Sequence, residues 1–317
     1  MPQSEKKLIK EIRRHARNGK SLVTGIGDDC AVLRVSRGRE LLVTTDFSIE
    51  NVHFRREWHR PELVGRRCLT RGLSDIAAMG GEPLAAFLSL AIGNDVPQKW
   101  VSRFLRGLLD LAREFGVPLA GGDTAQSLGG IQADIVVVGS VPTGQAVLRS
   151  GAKPGDQVYV TGELGGAAAA LERLRESKAL GAQLIPRLSP LPRVAVGRWL
   201  RERRMVSAMI DLSDGLSTDL EHICAESRVG AEIDGEAIPR ARVGQGRGRV
   251  AMEIALHGGD DYELLFASSA AVPSKVAGIP VTRIGRITRS RGMRVTGGNG
   301  KLRVLKAGGW EHFTGKL

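Results

Sequence analysis

The sequence predicts an α/β protein of two domains, and three observations carry that expectation. The chain has 317 residues, enough for two sizeable cores. Strand patterning alternates with helical apolar spacing along its length. Acid–glycine corners recur in both halves, at Gly25-Ile-Gly-Asp-Asp29, Gly121-Gly-Asp123, Ile210-Asp-Leu-Ser-Asp-Gly215 and Gly258-Gly-Asp-Asp261. The break falls at Pro142-Thr-Gly-Gln145, giving expected domains 1–145 and 146–317.

In the first half, Ser4 to Arg17 reads as an amphipathic helix with Leu8, Ile9 and Ile12 on one face. Gly19-Lys-Ser21 mimics the end of a P-loop, but Arg14 stands where that motif needs its first glycine, and a helix rather than a strand precedes it. Gly25 to Asp46 reads as loop, strand, turn and strand. Pro61 suits the first turn of a helix running to about Met79 and stopped by Gly80-Gly81. Asp75 sits near the end of that helix, where the macrodipole disfavours an acid, so it looks placed for another task. Leu84 to Ala91 reads as a strand and Trp100 to Phe115 as a helix. Gly116 to Asp123 is a short strand entering an acidic loop, and Ala133 to Val141 is a β-branched strand.

In the second half, Gln157 to Thr161 is a strand, followed by Gly162-Glu-Leu-Gly-Gly166 and an alanine-rich helix. That geometry can hold a phosphate or be a plain tight turn. Pro190 to Met205 reads as a basic helix. A strand then ends in Asp211 and Asp214, and a helix covers Leu216 to Glu226. Ala231 to Asp234 is a short strand and Glu253 to His257 closes a helix. Tyr262 to Ala267, Val281 to Ile287 and Met293 to Val304 supply the last strands.

Composition narrows the class. The formal net charge is +12, but aromatics are 4% and the basic clusters lack interleaved rings. Base stacking on single strands needs such rings, so no nucleic-acid partner is expected, and the basic surface is read as attracting anionic phosphate substrates. Cys30, Cys68 and Cys224 form no CxxC pair, so neither a disulfide frame nor a zinc site is supported. No apolar run approaches the roughly 18 residues of a membrane span, and the charged N-terminus lacks a signal core. No membrane association and a cytoplasmic location are expected.

Asp29, Asp46, Asp75, Asp123, Asp211 and Asp214 are each embedded in apolar and glycine residues. An unpaired buried carboxylate is costly, and several together repel unless cations intervene. Hard oxygen donors favour Mg²⁺, which completes its shell with phosphate oxygens, so several Mg²⁺ ions and a nucleoside triphosphate are expected. Asp28 and Asp261 read as turn or cap neighbours. His53 is either packed or at a substrate, Glu263 is a strand acid or a ligand, and Trp310 is a core or a lid aromatic.

Gly25-Ile-Gly-Asp-Asp29, Thr44-Thr-Asp46, Val52-His-Phe54, Leu73-Ser-Asp-Ile-Ala-Ala-Met-Gly80, Gly121-Gly-Asp-Thr124, Arg149-Ser-Gly-Ala-Lys-Pro-Gly-Asp156, Ile210-Asp-Leu-Ser-Asp-Gly-Leu216 and Gly258-Gly-Asp-Asp-Tyr-Glu-Leu264 together closely resemble the bacterial thiamine-monophosphate kinases. That family lies within the aminoimidazole-ribonucleotide-synthetase superfamily. The resemblance runs from about Gly25 to His312. It implies a two-domain fold with an N-terminal sheet domain, through which members form homodimers, and a C-terminal mixed-sheet domain completing the substrate cleft. It implies ATP-dependent phosphorylation of thiamine monophosphate to thiamine diphosphate, the last step of that cofactor's synthesis. Asp29, Thr44, Thr45, Asp46, Asp75, Asp123, Asp211 and Asp214 match magnesium positions. Gly122, Asp123, Arg149 and Ser213 match ATP contacts. His53, Glu263 and Trp310 match contacts to thiamine monophosphate. Asp260 stands where the family often has glutamate, and Leu105 where an aromatic often faces the nucleotide. No general base is implied, because the acceptor phosphate oxygen is already anionic. Superfamily relatives that activate selenide or assemble hydrogenase usually carry a reactive N-terminal or C-terminal cysteine, which this chain lacks.

Overall fold

A computed structural model of the chain describes residues 5–16, 19–26, 30–243, 248–297 and 300–313. It divides into two compact units. Unit 1 comprises Met1–Ile76 and Gly81–Gly144; unit 2 comprises Ala77–Gly80 and Gln145–Leu317.

Unit 1 contains α1 (Glu5–His15), β1 (Leu22–Thr24), β2 (Val32–Leu33), β3 (Arg39–Ile49), α2 (Pro61–Ala78, whose last two residues belong to unit 2), β4 (Glu82–Gly93), α3 (Gln98–Glu114), β5 (Leu119–Ser127) and β6 (Ile131–Pro142). β1 and β2 form a short ribbon, and the main sheet has the order β3-β6-β4-β5. β3 pairs antiparallel with β6 from Arg39↔Pro142 to Ile49↔Gln132. Strand alternation sorts the sheet into two faces. Leu42, Thr44, Asp46 and Ser48 share one face with Ala133, Ile135 and Val137, and this is the buried one. Leu41, Val43, Thr45 and Phe47 point the other way and are exposed.

Glycines set how closely the helices pack in unit 1. A Cβ on Gly72 of α2 would lie 2.5 Å from Val137 Cγ2 in the sheet. Where α2 crosses α3, a Cβ on Gly65 would lie 2.0 Å from the Phe104 carbonyl oxygen, and one on Gly107 would lie 2.0 Å from that of Glu62. The two backbones therefore touch. Arg103 fixes the crossing by donating to both Glu62 oxygens at 2.6 and 2.9 Å.

Unit 2 contains β7 (Gln157–Thr161), α4 (Gly166–Arg175), α5 (Val194–Glu202), β8 (Ala208–Asp211), α6 (Leu216–Ser227), β9 (Gly230–Asp234), α7 (Met252–His257), β10 (Leu264–Ser268), β11 (Lys275–Val276), β12 (Ile279–Thr288), β13 (Gly292–Thr296) and β14 (Leu302–Leu305). Its sheet runs β14-β13-β9-β12-β7-β10-β8, with β11 paired to β12. β9 and β13 are parallel while their neighbours pair antiparallel, so the sheet is mixed. Tyr159 and Phe266 stack at 5.3 Å within a core that includes Val196 and Leu200 of α5 and Ala77 and Ala78.

Two local expectations are corrected. The short strand read over Gly116 to Asp123 does not enter a loop there: β5 continues to Ser127, running parallel to β4. Gly122 makes this possible: its φ is 148°, and a Cβ there would lie 1.9 Å from the Leu88 carbonyl oxygen. The basic helix is shorter than Pro190 to Met205. It starts at Val194, because Pro190 and Pro192 cannot donate to a helix and Arg193 (φ −88°, ψ 36°) is not helical.

Candidate functional site

In unit 1 the expected ligands fall into two groups because β3 alternates. On the helix-covered face the Thr44 hydroxyl donates to Asp75 Oδ2 on α2. Asp75 is thus half-buried and engaged rather than a solvent-exposed acid. Asp46 lies two residues along the same face, opposite Ile135. Nearby, burial pushes the Cys68 thiol up to about 12, a rise that a Ser48 hydrogen bond opposes and the Asp46 charge reinforces, so this sulfur is inert. On the open face Thr45 donates to Asp134 Oδ1 at 2.6 Å. Asp123 lies across the sheet on the row of Ser89 and Asp134 and is exposed; its Oδ1 accepts the Thr124 amide at 2.8 Å. His53 follows β3 in a turn where its Nδ1 accepts the Ile49 amide at 3.0 Å. A neutral ring there carries its proton on Nε2. Asp28 and Asp29 lie outside the described residues.

In unit 2 three distant segments are laced together by main-chain bonds. The Ser213 carbonyl accepts from Asp260 at 2.8 Å, the Leu212 carbonyl from Tyr262 at 2.8 Å, and the Asp214 carbonyl from Trp310 at 3.0 Å. Gly309 donates to Thr218 Oγ1 at 3.1 Å, and a Cβ there would lie 2.1 Å from the Asp214 oxygen. Asp211, Ser213, Asp214, Glu263 and Trp310, up to a hundred residues apart, so share one neighbourhood. Asp211 ends β8 opposite Leu264.

Sequence reasoning missed two residues here. Asp219, in the first turn of α6, is buried and accepts the Asp214 and Gly215 amides at 3.2 and 3.0 Å. Burial, then the charges of Asp211 and Asp214, push it up to about 8. Its signal was legible as an acid in a first helical turn following Asp-Leu-Ser-Asp-Gly. Arg193 is the other. Glu263 is 1% exposed, and its carboxylate accepts from Arg193 Nε at 2.6 Å and from Arg193 Nη2, and from Thr161 Oγ1 at 2.5 Å. Nothing local in the sequence pairs positions 193 and 263.

The glycine turn at Gly162–Gly166 already holds a carboxyl group, the chain's own. Asp261 accepts the Gly165 amide at 2.6 Å and the Ala167 amide at 3.2 Å, as an acid does at a helix start. Burial raises its carboxyl to about 7. Arg149 is exposed, and its carbonyl accepts from Ser227 at 2.9 Å, which ties this segment to the C-terminal end of α6, away from Ser213 and Asp214. Among the described residues, no three His, Cys, Asp or Glu side chains form a group able to hold a metal ion. By donor chemistry the set fits Mg²⁺ all the same: carboxylates and threonine hydroxyls are hard oxygens, and the mutual repulsion of Asp211, Asp214 and Asp219 is what a divalent cation would relieve.

Comparison with known proteins gives the family. The model of AIR synthase related protein, N-terminal domain, matches residues 27–141, and that of the C-terminal domain matches residues 153–298. The thiamine-monophosphate kinase of Salmonella typhimurium LT2 is 39% identical over 283 residues, covering 84% of each chain. That of Escherichia coli K12 is 38% identical over 304 residues, covering 91% of each. The crystal structure of the Stenotrophomonas maltophilia K279a thiamine-monophosphate kinase superposes with a TM-score of 0.81 at 35% identity, over 94% of this chain and 98% of that one. AaThiL complexed with AMPPCP and TMP gives 0.76 at 32% identity, over 88% and 89%. Hydrogenase maturation protein HypE of E. coli gives 0.79 at 20% identity over 98% and 99%, which shows the fold alone. With both AIR synthase related domains in order and kinase relatives aligned over most of its length, the chain belongs to the thiamine-monophosphate kinase family.

Proposed function

We propose that the chain transfers the γ-phosphoryl group of ATP to the phosphate of thiamine monophosphate, yielding thiamine diphosphate and ADP. The observation that carries this reading is the lacing of 211–215, 258–264 and 308–310 into one neighbourhood, in a chain 32% identical to a protein solved with AMPPCP and TMP. A new P–O bond forms between an anionic acceptor oxygen and the γ-phosphorus. The bond to the β–γ bridging oxygen breaks, and ADP leaves with the electron pair. The acceptor needs no deprotonation, so no side chain serves as general base, and transfer is direct and in line. The remaining task is to hold two polyanions end to end.

Mg²⁺ held by Asp29, Thr44, Thr45, Asp46, Asp75, Asp123, Asp211 and Asp214 would neutralise charge on both phosphates. Gly122, Asp123, Arg149 and Ser213 contact ATP, with Arg149 adding a fixed positive charge. His53, Glu263 and Trp310 contact thiamine monophosphate. Glu263 does so from inside unit 2, where Arg193 compensates its charge. The functional unit is a homodimer joined through the open face of β3, where Leu41, Val43 and Phe47 are 53%, 66% and 57% exposed. The setting is cytoplasmic, which three free cysteines and the lack, among the described residues, of any helix long and apolar enough to cross a membrane both support. Release of ADP from ATP and Mg²⁺, followed with and without thiamine monophosphate, tests the assignment. Dependence on thiamine monophosphate is expected; ADP release indifferent to it, or none, would overturn the reading.

A further inference from the structure

Unit 2 holds a second concave site that the kinase chemistry leaves unused. An open cleft of about 750 Å³ lies at the sheet edge, along the C-terminal half of α6. Strand order explains its character. β9 and β13 run parallel with Gly230 opposite Gly292, so Arg228 and Arg291, which precede them, arrive at the same end of the sheet. β14 returns antiparallel, with Met293 opposite Leu305, which brings Lys306 to that end as well. A Cβ on Gly230 would lie 2.0 Å from the Ser290 carbonyl oxygen, so these strand ends are as close as backbone permits.

The cleft is lined by Arg228, Arg291, Arg294 and Lys306 against a single acid, Glu221. Arg294 shares Glu232 at 3.9 Å; among the described residues the other three cations have no ion-pair partner. The C-terminal dipole of α6 offsets only about half a charge, so the rim stays strongly positive. The floor is apolar: Cys224, Val229, Met293 and Leu305 are buried beneath it. Arginine forks suit phosphate oxygens, and the volume falls within the roughly 300–1,000 Å³ of small-molecule sites. The 12 residues of α6 span about 18 Å, which sets the cleft apart from the acid loops at the other end of that helix; of the proposed ATP contacts, Arg149 alone is tied to the cleft's end, through Ser227.

We propose that this cleft binds a phosphorylated small molecule with an aromatic or apolar body, its phosphate on Arg228, Arg291 and Lys306 and its body on the Met293–Leu305 floor. The probe is 1-naphthyl phosphate, titrated calorimetrically into the full chain with AMPPCP, thiamine monophosphate and Mg²⁺ at saturation. One site is expected. Arg228→Glu with Arg291→Glu should weaken it at least tenfold, and Lys306→Glu alone several-fold, while turnover of ATP and thiamine monophosphate stays unchanged in both variants. 1-Naphthol and inorganic phosphate should each bind at least tenfold more weakly than the probe. Absence of binding, displacement by AMPPCP, equal binding of either fragment, or undiminished binding in both variants would each overturn the proposal.

Discussion

At the scale of single residues, the acids sort into those that face the proposed chemistry and those that serve the fold. Asp46 and Asp75 share one face with Thr44. Replacing either by Asn removes a charged donor and should lower kcat by on the order of 10² or more at saturating Mg²⁺, read by the coupled ADP assay. Near-normal turnover in both variants would remove them from the metal set. Asp261 belongs to the fold. Its carboxyl ionises at 3.8 when unperturbed and at about 7 when buried here. Between those values the folded chain keeps a proton that the unfolded chain loses, so this group's contribution to stability declines as pH rises through the window and is level above it. The melting temperature of the native chain relative to Asp261→Asn should therefore fall from pH 4 to 7, and parallel curves would show that Asp261 is ionised throughout. The sequence marked Asp261 as a possible cap, and its neighbours made that legible. Glu263 was harder, since its partner Arg193 is 70 residues away and only the folded chain joins them.

At the scale of elements, periodicity located most helices and strands, and the misses have physical causes. Asp123 looked like a loop residue because two glycines precede it, yet glycine is what lets β5 lie against β4. The basic helix looked longer because Arg193 extends its row of charges, yet two prolines and the pairing of Arg193 with buried Glu263 hold this segment out of helix. The α2–α3 crossing was invisible in sequence, since Gly65 and Gly107 are far apart and glycine inside a helix reads as a weakness. Gly65→Ala tests it. Alanine gains about 1 kcal/mol of helix propensity, whereas a Cβ 2.0 Å from the Phe104 carbonyl oxygen forces backbone to move, at about 1–3 kcal/mol or more. Net destabilisation is expected in chemical unfolding, and a stabilised variant would show that the helices sit farther apart.

At the scale of the whole molecule, composition and motif order foretold two α/β units of one family, but not what each face of a sheet does. The open face of β3 presents Leu41, Val43 and Phe47, and homodimerisation through it is testable. Val43→Arg with Phe47→Arg should yield a monomer by light scattering, since charges buried unpaired in an apolar joint are costly, and a variant that stays dimeric would place the joint elsewhere. The same strand turns Thr44 and Asp46 the other way, while Thr45 stays on the open face, so most of the proposed β3 donors and the proposed joint occupy alternate positions of one backbone. Deleting a single residue early in β3 would exchange the two sets, burying valine where acid belongs and setting aspartate on the joint. Removing two would keep every side chain on its own side. Odd and even shortenings of one strand should thus behave as opposites.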